Sequence, residues 1–318
     1  MKVFVSGAGG FLGKAVVAGL VKRGNEVVGL VRTEEKGRVI NNLGGRYVLG
    51  DLTKEGPWKD EVQSAHRVVS LSWPIKFTDR LSLDKMIDLN IQHSKEIVNL
   101  VNAAKNGEAK SIFVTYDTLC LGDRSDKWIE EPGAINPAGF CRPIGNSFDE
   151  IRRAGENAGI PLVNVFPGRV YGNEGWFPYI VDRVRKGTWK MAGDGGNYMS
   201  LVHIDDLAAA YGEAVERLTH NESFVLADGS PCTQAEFTYF LAEMLGVDRP
   251  GTLDVHEFTK AEGIMMAESL ITSARVSGRH AAKLLDFVPA YPDYHLGVIA
   301  VLKEMGIMPK AVFKVKAA

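Results

Sequence analysis

An α/β fold built around a parallel sheet is what this sequence predicts, on three observations. Short apolar, β-branched runs recur between segments of helical periodicity. The first run, helix and second run together make a β-α-β unit of about thirty residues. That unit carries glycines at Gly7, Gly10 and Gly13.

The elements follow in order. MKVFVSG reads as a buried strand closed by a glycine. Leu12, Val16, Val17, Leu20 and Val21 then recur at helical spacing, and KRGN stops that helix. EVVGLV is a second strand, RYVLGDLT a third, and the fourth ends before LSWPIKF. A helix runs from about Leu83 to Lys105, and SFDEIRRAGENAG is another, quite polar one. NVFPGRVYGN reads as a strand and loop, and WFPYIVDRVRKG as a helix. GDGGNYMSLVHIDDLAAAYGEAVERL gives a turn, a short strand and a helix, with Asp205 and Asp206 expected to cap it. SFVLADG is a further strand and TQAEFTYFLAEMLGV an amphipathic helix, whereas FTKAEGIMMAESLITSARVSG is less regular.

Composition bounds the function. With 318 residues, 45% apolar and 24% charged, and a formal charge of -2, the chain reads as an ordinary soluble globular protein able to bury a large core. No Lys/Arg run or basic tail supplies the footprint that nucleic acid needs. No apolar run approaches the roughly 18 residues of a membrane helix. The first strand begins at Lys2, so no signal peptide is expected. Cys120, Cys141 and Cys232 are widely spaced without a CxxC pair, which predicts reduced thiols in a cytoplasmic protein. No His, Cys and carboxylate cluster at ligand spacing suggests a metal.

The glycines point to a dinucleotide. Gly7 permits the tight turn out of the strand, Gly10 lets a pyrophosphate approach the backbone, and Gly13 lets helix and sheet pack closely. The helix N-terminus then faces the phosphates. At the end of the second strand, where a carboxylate would bind the ribose of NAD, the chain has Val31, then Arg32 with Lys36 close behind. Arginine suits a 2′-phosphate, so NADP(H) is expected in preference to NAD(H). Asp51 and Leu52 are placed to contact the adenine edge, although Asp51 would equally cap the next helix.

With SGAGGFLG, GDLT, DLNIQHSKEIVNLVNAA, SIFVTYDTLCLGD, NVFPGRVYGN, VHIDDLAAAY and AAKLLDFVPAY in that order, the sequence resembles the extended short-chain dehydrogenase/reductases, the NAD(P)-dependent epimerase/dehydratase family. The resemblance implies a Rossmann-type doubly wound parallel sheet with a smaller, mostly C-terminal α+β substrate lobe. It divides the chain into an NADP-binding domain of residues 1–170 plus about 200–228, and an interleaved substrate lobe of about 171–199 and 229–318. It adds Phe11, Leu12, Ser72, Thr115 and Pro167 to the cofactor contacts. It gives His203 a scaffold position and makes Trp73, Trp176 and Met265 candidates for the substrate pocket, with a packed loop anchor held by Pro74 the equal alternative for Trp73 and core packing the alternative for the methionine. Relatives dimerise through the helix at Leu83–Lys105 and the one that follows; the polarity of the latter leaves a homodimer open.

The resemblance breaks at the chemistry. The family's Tyr and Lys, four residues apart, match Ile144 and Phe148, and none of the nine tyrosines has a Lys four positions on. The family's Ser or Thr, counted back from Gly122, matches Asp117, with Tyr116 and Thr118 beside it. Strand alternation sends Thr115 and Asp117 to one face and Tyr116 to the other. Three explanations compete: a reductase that takes its proton from Asp117, Tyr116, Thr118 or water; a non-redox isomerase or lyase with Asp117 as base; and a non-catalytic NADP(H)-binding regulator. Ile144 and Phe148 make the pocket drier, which favours an apolar or aromatic carbonyl or enone. Asp117 tips the reading toward an enzyme, because an ionised carboxylate is costly in a decayed apolar core; its other roles would be to cap a turn or to pair with Arg142.

Overall fold

The computed structural model of the protein describes residues 1–73, 79–130 and 135–310, and for residues 140 and 143–146 the backbone only. Seven strands form one sheet: β1 (Lys2–Ser6), β2 (Glu26–Val31), β3 (Arg46–Leu49), β4 (Arg67–Ser70), β5 (Ile112–Thr115), β6 (Leu162–Pro167) and β7 (Glu222–Leu226). Their order is β7-β6-β5-β4-β1-β2-β3, and every pairing is parallel. The chain winds outward from β1 to β3, crosses back to β4, and winds the other way to β7. The reversal between β1 and β4 opens a crevice beyond their carboxyl ends, where sheets of this kind bind ligands.

Helices cover both faces, which is why the strands read as continuous apolar runs. Alternate residues split between two cores. Val3, Val5, Val27 and Val69 pack against α1 (Phe11–Lys22), α7 (Ile204–Arg217) and α11 (Arg279–Leu285), through Val16, Val17, Leu207 and Leu285. Phe4, Val28, Val68 and Val114 face α4 (Leu83–Ala104) and α5 (Gly145–Ala158), through Ile97, Leu100 and Ile151. A third core gathers Phe177, Phe237, Phe258 and Val298 from α6 (Trp176–Arg185), α8 (Gln234–Leu245), α9 (Val255–Glu262) and α12 (Tyr294–Glu304), together with Tyr171 and Trp189 from the segments on either side of α6. The irregular segment resolves into α9 and α10 (Ile264–Ile271), separated by Gly263.

One cap differs from the expectation. The N-cap of α7 is His203, whose Nδ1 accepts from the Asp205 N–H at 3.2 Å. Asp206 turns away from its own helix and accepts from the N–H groups of Ala290 at 2.7 Å and Tyr291 at 2.9 Å, tying a distant segment to α7. A carboxylate in a first turn is legible in sequence, but the partner it chooses depends on what packs beside it.

Candidate functional site

The turn between β1 and α1 is shaped by close approach. Gly7 has φ +72°, and a Cβ there would stand 2.5 Å from the Ser72 backbone nitrogen. A Cβ on Gly13 would stand 2.1 Å from the Gly7 carbonyl oxygen, so only glycine lets α1 start this near the end of β1. The Gly10 N–H donates to the Gly7 carbonyl at 3.0 Å. Gly10 caps α1 without a side-chain hydrogen bond, and the first turn holds no acidic residue. A glycine cradle therefore lies beside helix N–H groups and a positive dipole end that no side-chain cap and no acidic residue of the helix's own first turn neutralises. Phe11 packs over Gly172, and Leu12 is half-buried against the sheet.

On the β2–β3 side of this turn, Arg32 and Lys36 are exposed, and the Lys36 side chain passes within 2.9 Å of where a Cβ on Gly9 would be. The Arg32 guanidinium lies 3.7 Å from the carboxylate of Glu96 on α4. Glu96 is 2% exposed, and burial raises its proton affinity despite a hydrogen bond from Gln92. Asp51 accepts from the Thr53 N–H at 2.9 Å and hydroxyl at 2.7 Å, and these bonds hold its carboxyl below the usual range. It thus closes a local turn; the next helix, α3 (Trp58–Gln63), starts from Pro57, which overturns the reading of Asp51 as its cap. The Leu52 carbonyl accepts from Asn99 of α4 at 2.9 Å.

On the β4–β5 side, Ser72 and Trp73 leave the end of β4, and the Trp73 ring meets His93 of α4 edge-on, 5.1 Å between centroids. Residues 74–78 and the Ile144 side chain lie outside the described residues. At the end of β5, the Thr115 hydroxyl pairs with the Tyr211 hydroxyl at 2.5 Å, on the α7 face. Tyr116 points the other way and stacks on Phe148 at 4.2 Å and Phe166 at 5.3 Å; burial drives its phenol well above the ordinary value. Asp117 accepts from the Leu119 N–H at 2.8 Å, capping the short helical turn Thr118–Leu121. Burial raises its proton affinity, opposed by that N–H and by the Arg169 guanidinium. The cation whose charge acts on Asp117 is Arg169, where the sequence had offered Arg142. Arg169 donates to the Ser269 carbonyl at 2.6 Å and lies over Trp176, and burial pushes it down to about 10.

The remaining expected residues are more enclosed. Pro167 ends β6, and the next N–H, of Gly168, is bound to the Leu226 carbonyl at 2.8 Å. Thr118 is 5% exposed. Trp176 donates its indole N–H to the Val170 carbonyl at 2.6 Å among Phe177 and Phe237. Met265 is 2% exposed, in the core beneath α4 and α5. The sequence reading did not single out His93, Glu96 or Arg169; their buried positions on α4 and after β6 mark them only once the fold is known.

A cavity of about 890 Å³ runs between α5 and strands β6 and β7, with Tyr116, Phe148 and Phe166 at one end and Asn221 at the other. No residue of the glycine turn lines it, so it is separate from the crevice at the switch point. Among the described residues, no helix is long and apolar enough to cross a membrane, and no three His, Cys, Asp or Glu side chains are grouped to hold a metal ion.

Comparison with known proteins places the chain. The model of the NAD dependent epimerase/dehydratase family matches residues 3–227. An uncharacterized protein of Saccharomyces cerevisiae is 44% identical over 224 residues, 68% of this chain and 71% of that one. The 2-alkyl-3-oxoalkanoate reductase of Stenotrophomonas maltophilia is 25% identical over 264 residues, 78% of this chain and 77% of that one. Among solved structures, a human epimerase family protein crystallised with NADPH superposes with a TM-score of 0.77 at 19% identity, over 95% of this chain and 99% of that one.

Proposed function

Since the chain belongs to the NAD dependent epimerase/dehydratase family, within the extended short-chain dehydrogenase/reductases, we propose that it is an NADP(H)-dependent oxidoreductase acting on a small apolar or aromatic carbonyl or enone. The observation that carries the reading is the β1–α1 turn: Gly7 and Gly13 leave room that any Cβ would fill, beside an uncapped helix N-terminus. These residues fit a dinucleotide pyrophosphate. Arg32 and Lys36 stand where a 2′-phosphate would fall, and Asp51 and Leu52 where the adenine edge would.

A bound nicotinamide supplies or accepts the hydride. The chain's own residues orient the substrate, exclude water and manage one proton. The residue beside Asp117 in the chain, Tyr116, stacks with Phe148 and Phe166 on the α5 side of the sheet, around the neighbouring cavity, and this apolar setting supports an apolar partner over a charged one. Asp117 can hold a proton on its carboxyl, because burial favours the neutral acid while Arg169 keeps the anion accessible. The 2-alkyl-3-oxoalkanoate named for the reductase of Stenotrophomonas maltophilia is a ketone on alkyl chains, in keeping with a carbonyl substrate, and it also carries a carboxylate.

The same raised proton affinity of Asp117 favours a second reading, a redox-neutral isomerase with Asp117 as base. The test is NADPH consumption by the purified protein over a panel of ketones, aldehydes and enones, paired as apolar and charged analogues. Turnover of the apolar members with NADPH supports the oxidoreductase. Binding of NADPH with no turnover of any, and substrate isomerised without net cofactor change, would replace it with the second reading.

A further inference from the structure

His93 is 2% exposed on α4, and neither of its ring nitrogens has a hydrogen-bond partner. The Ser72 hydroxyl, next to Trp73 in the chain, is likewise buried and unpartnered. Buried polar side chains without partners are rare and costly, and those that persist in a folded protein call for an explanation. A leucine at position 93 could pack against the Trp73 ring without burying two unpartnered nitrogens.

The position of His93 supplies the explanation. Its ring lies against Trp73, and the chain at Leu71 and Ser72 is in contact with the Gly7 turn. One turn further along α4, Glu96 faces Arg32, and Asn99 binds the Leu52 carbonyl. Helix α4 therefore flanks the crevice: Glu96 and Asn99 mark the side of β2 and β3, and His93 is the next residue toward β4. Two polar groups without hydrogen-bond partners, on separate elements, thus lie near the glycine turn: Ser72 touches it through its backbone, and His93 packs on the ring of the next residue, Trp73.

We propose that His93 is a ligand-contact residue of this crevice, its imidazole hydrogen-bonding an uncharged polar group of the bound dinucleotide, a ribose hydroxyl or a ring or carboxamide atom. The inference rests on the cofactor reading above. Burial pushes the imidazole down to about 4, so it is neutral at physiological pH, with one nitrogen a donor and the other an acceptor. A neutral ring of this kind matches a hydroxyl or amide better than a phosphate, for which the glycine turn and Arg32 are suited.

The experiment is calorimetric titration of wild type, His93→Leu, His93→Phe and His93→Gln with NADPH, 2′,5′-ADP and nicotinamide mononucleotide, together with ligand-free melting. His93→Leu and His93→Phe are expected to weaken NADPH by about tenfold, the loss of one hydrogen bond, while melting at or above the wild-type temperature. His93→Gln is expected to recover most of the affinity. A parallel loss for 2′,5′-ADP puts the contact on the adenosine half, and a loss for the mononucleotide puts it on the other half; either supports the proposal. His93→Phe keeps a ring against Trp73 should the leucine variant not fold. NADPH binding equal to wild type in the folded variants overturns this inference and leaves the cofactor reading standing, whereas a wild type that binds no dinucleotide overturns both.

Discussion

A side-chain carbon on Gly7 would stand 2.5 Å from the backbone nitrogen of Ser72. The β1–α1 turn and the end of β4 are therefore interlocked, and the shape of the proposed phosphate cradle is fixed by two strands that are neighbours only because the sheet reverses there. Gly7→Ala would have to move one of them and adopt φ +72° as well. We expect a loss of stability on the order of 1–3 kcal/mol and at least a tenfold loss of NADPH affinity. Melting temperature and calorimetry check both; an unchanged affinity would show that the turn does not hold the cofactor.

Arg32 lies 3.7 Å from the buried Glu96 carboxylate, so its charge is shared before any phosphate arrives. Arg32→Ala should weaken NADPH by about tenfold or more and leave NADH nearly unchanged. Glu96→Gln should move the preference the other way, toward NADPH, by removing a competing anion. Dissociation constants for the two cofactors across the three proteins decide it.

Asp117→Asn preserves the oxygen that accepts the Leu119 N–H and removes the ionisable carboxyl. If Asp117 delivers the proton, turnover should fall by about 10² to 10⁴ with NADPH affinity intact. Equal turnover in the variant would reduce Asp117 to the cap of a helical turn.

His93 makes stability depend on acid. Its folded value is about 4 against 6.5 for the free group, so the unfolded chain takes up the proton first. The native state is therefore penalised increasingly as pH falls from 6.5 to 4, by about 1.4 kcal/mol per pH unit and about 3 kcal/mol in all. His93→Leu should lack this slope in urea titrations across that window.

Asp228 has the opposite sign. Burial raises it from 3.8 to about 8, and one of its oxygens has no partner, while the other accepts from the Ser230 N–H. The folded chain keeps the proton longer than the unfolded one, so the contribution is favourable at low pH and is lost as pH rises from 3.8 to about 8. Asp228→Asn should be more stable than wild type by a margin that grows by about 1.4 kcal/mol per pH unit over that range.

How much of this could be read from the residues follows from which forces are local. The strands from Lys2 to Leu49 and helix α1 were legible because apolar period and glycine spacing are set within a few residues. The aromatic stack of Tyr116 on Phe148 was legible only in part: alternation separated Tyr116 from Thr115, but the partner comes from α5, more than thirty residues away. Asp206 was read as a cap of its own helix, and Asp51 as a contact of the adenine edge or equally the cap of the next helix, whereas Asp206 binds the backbone at Ala290 and Tyr291 and Asp51 binds Thr53. His93 and Glu96 were invisible as site residues, since a polar residue at a buried helical position gains meaning only from the neighbouring strands.

Titration of the purified protein with NADPH and with NADH, followed by calorimetry, tests the central claim most directly. The account expects NADPH to bind in the micromolar range or tighter and more strongly than NADH, with the difference abolished in Arg32→Ala. Binding of neither cofactor would contradict it, and would leave the Gly7 turn as a feature of the fold without a dinucleotide to hold.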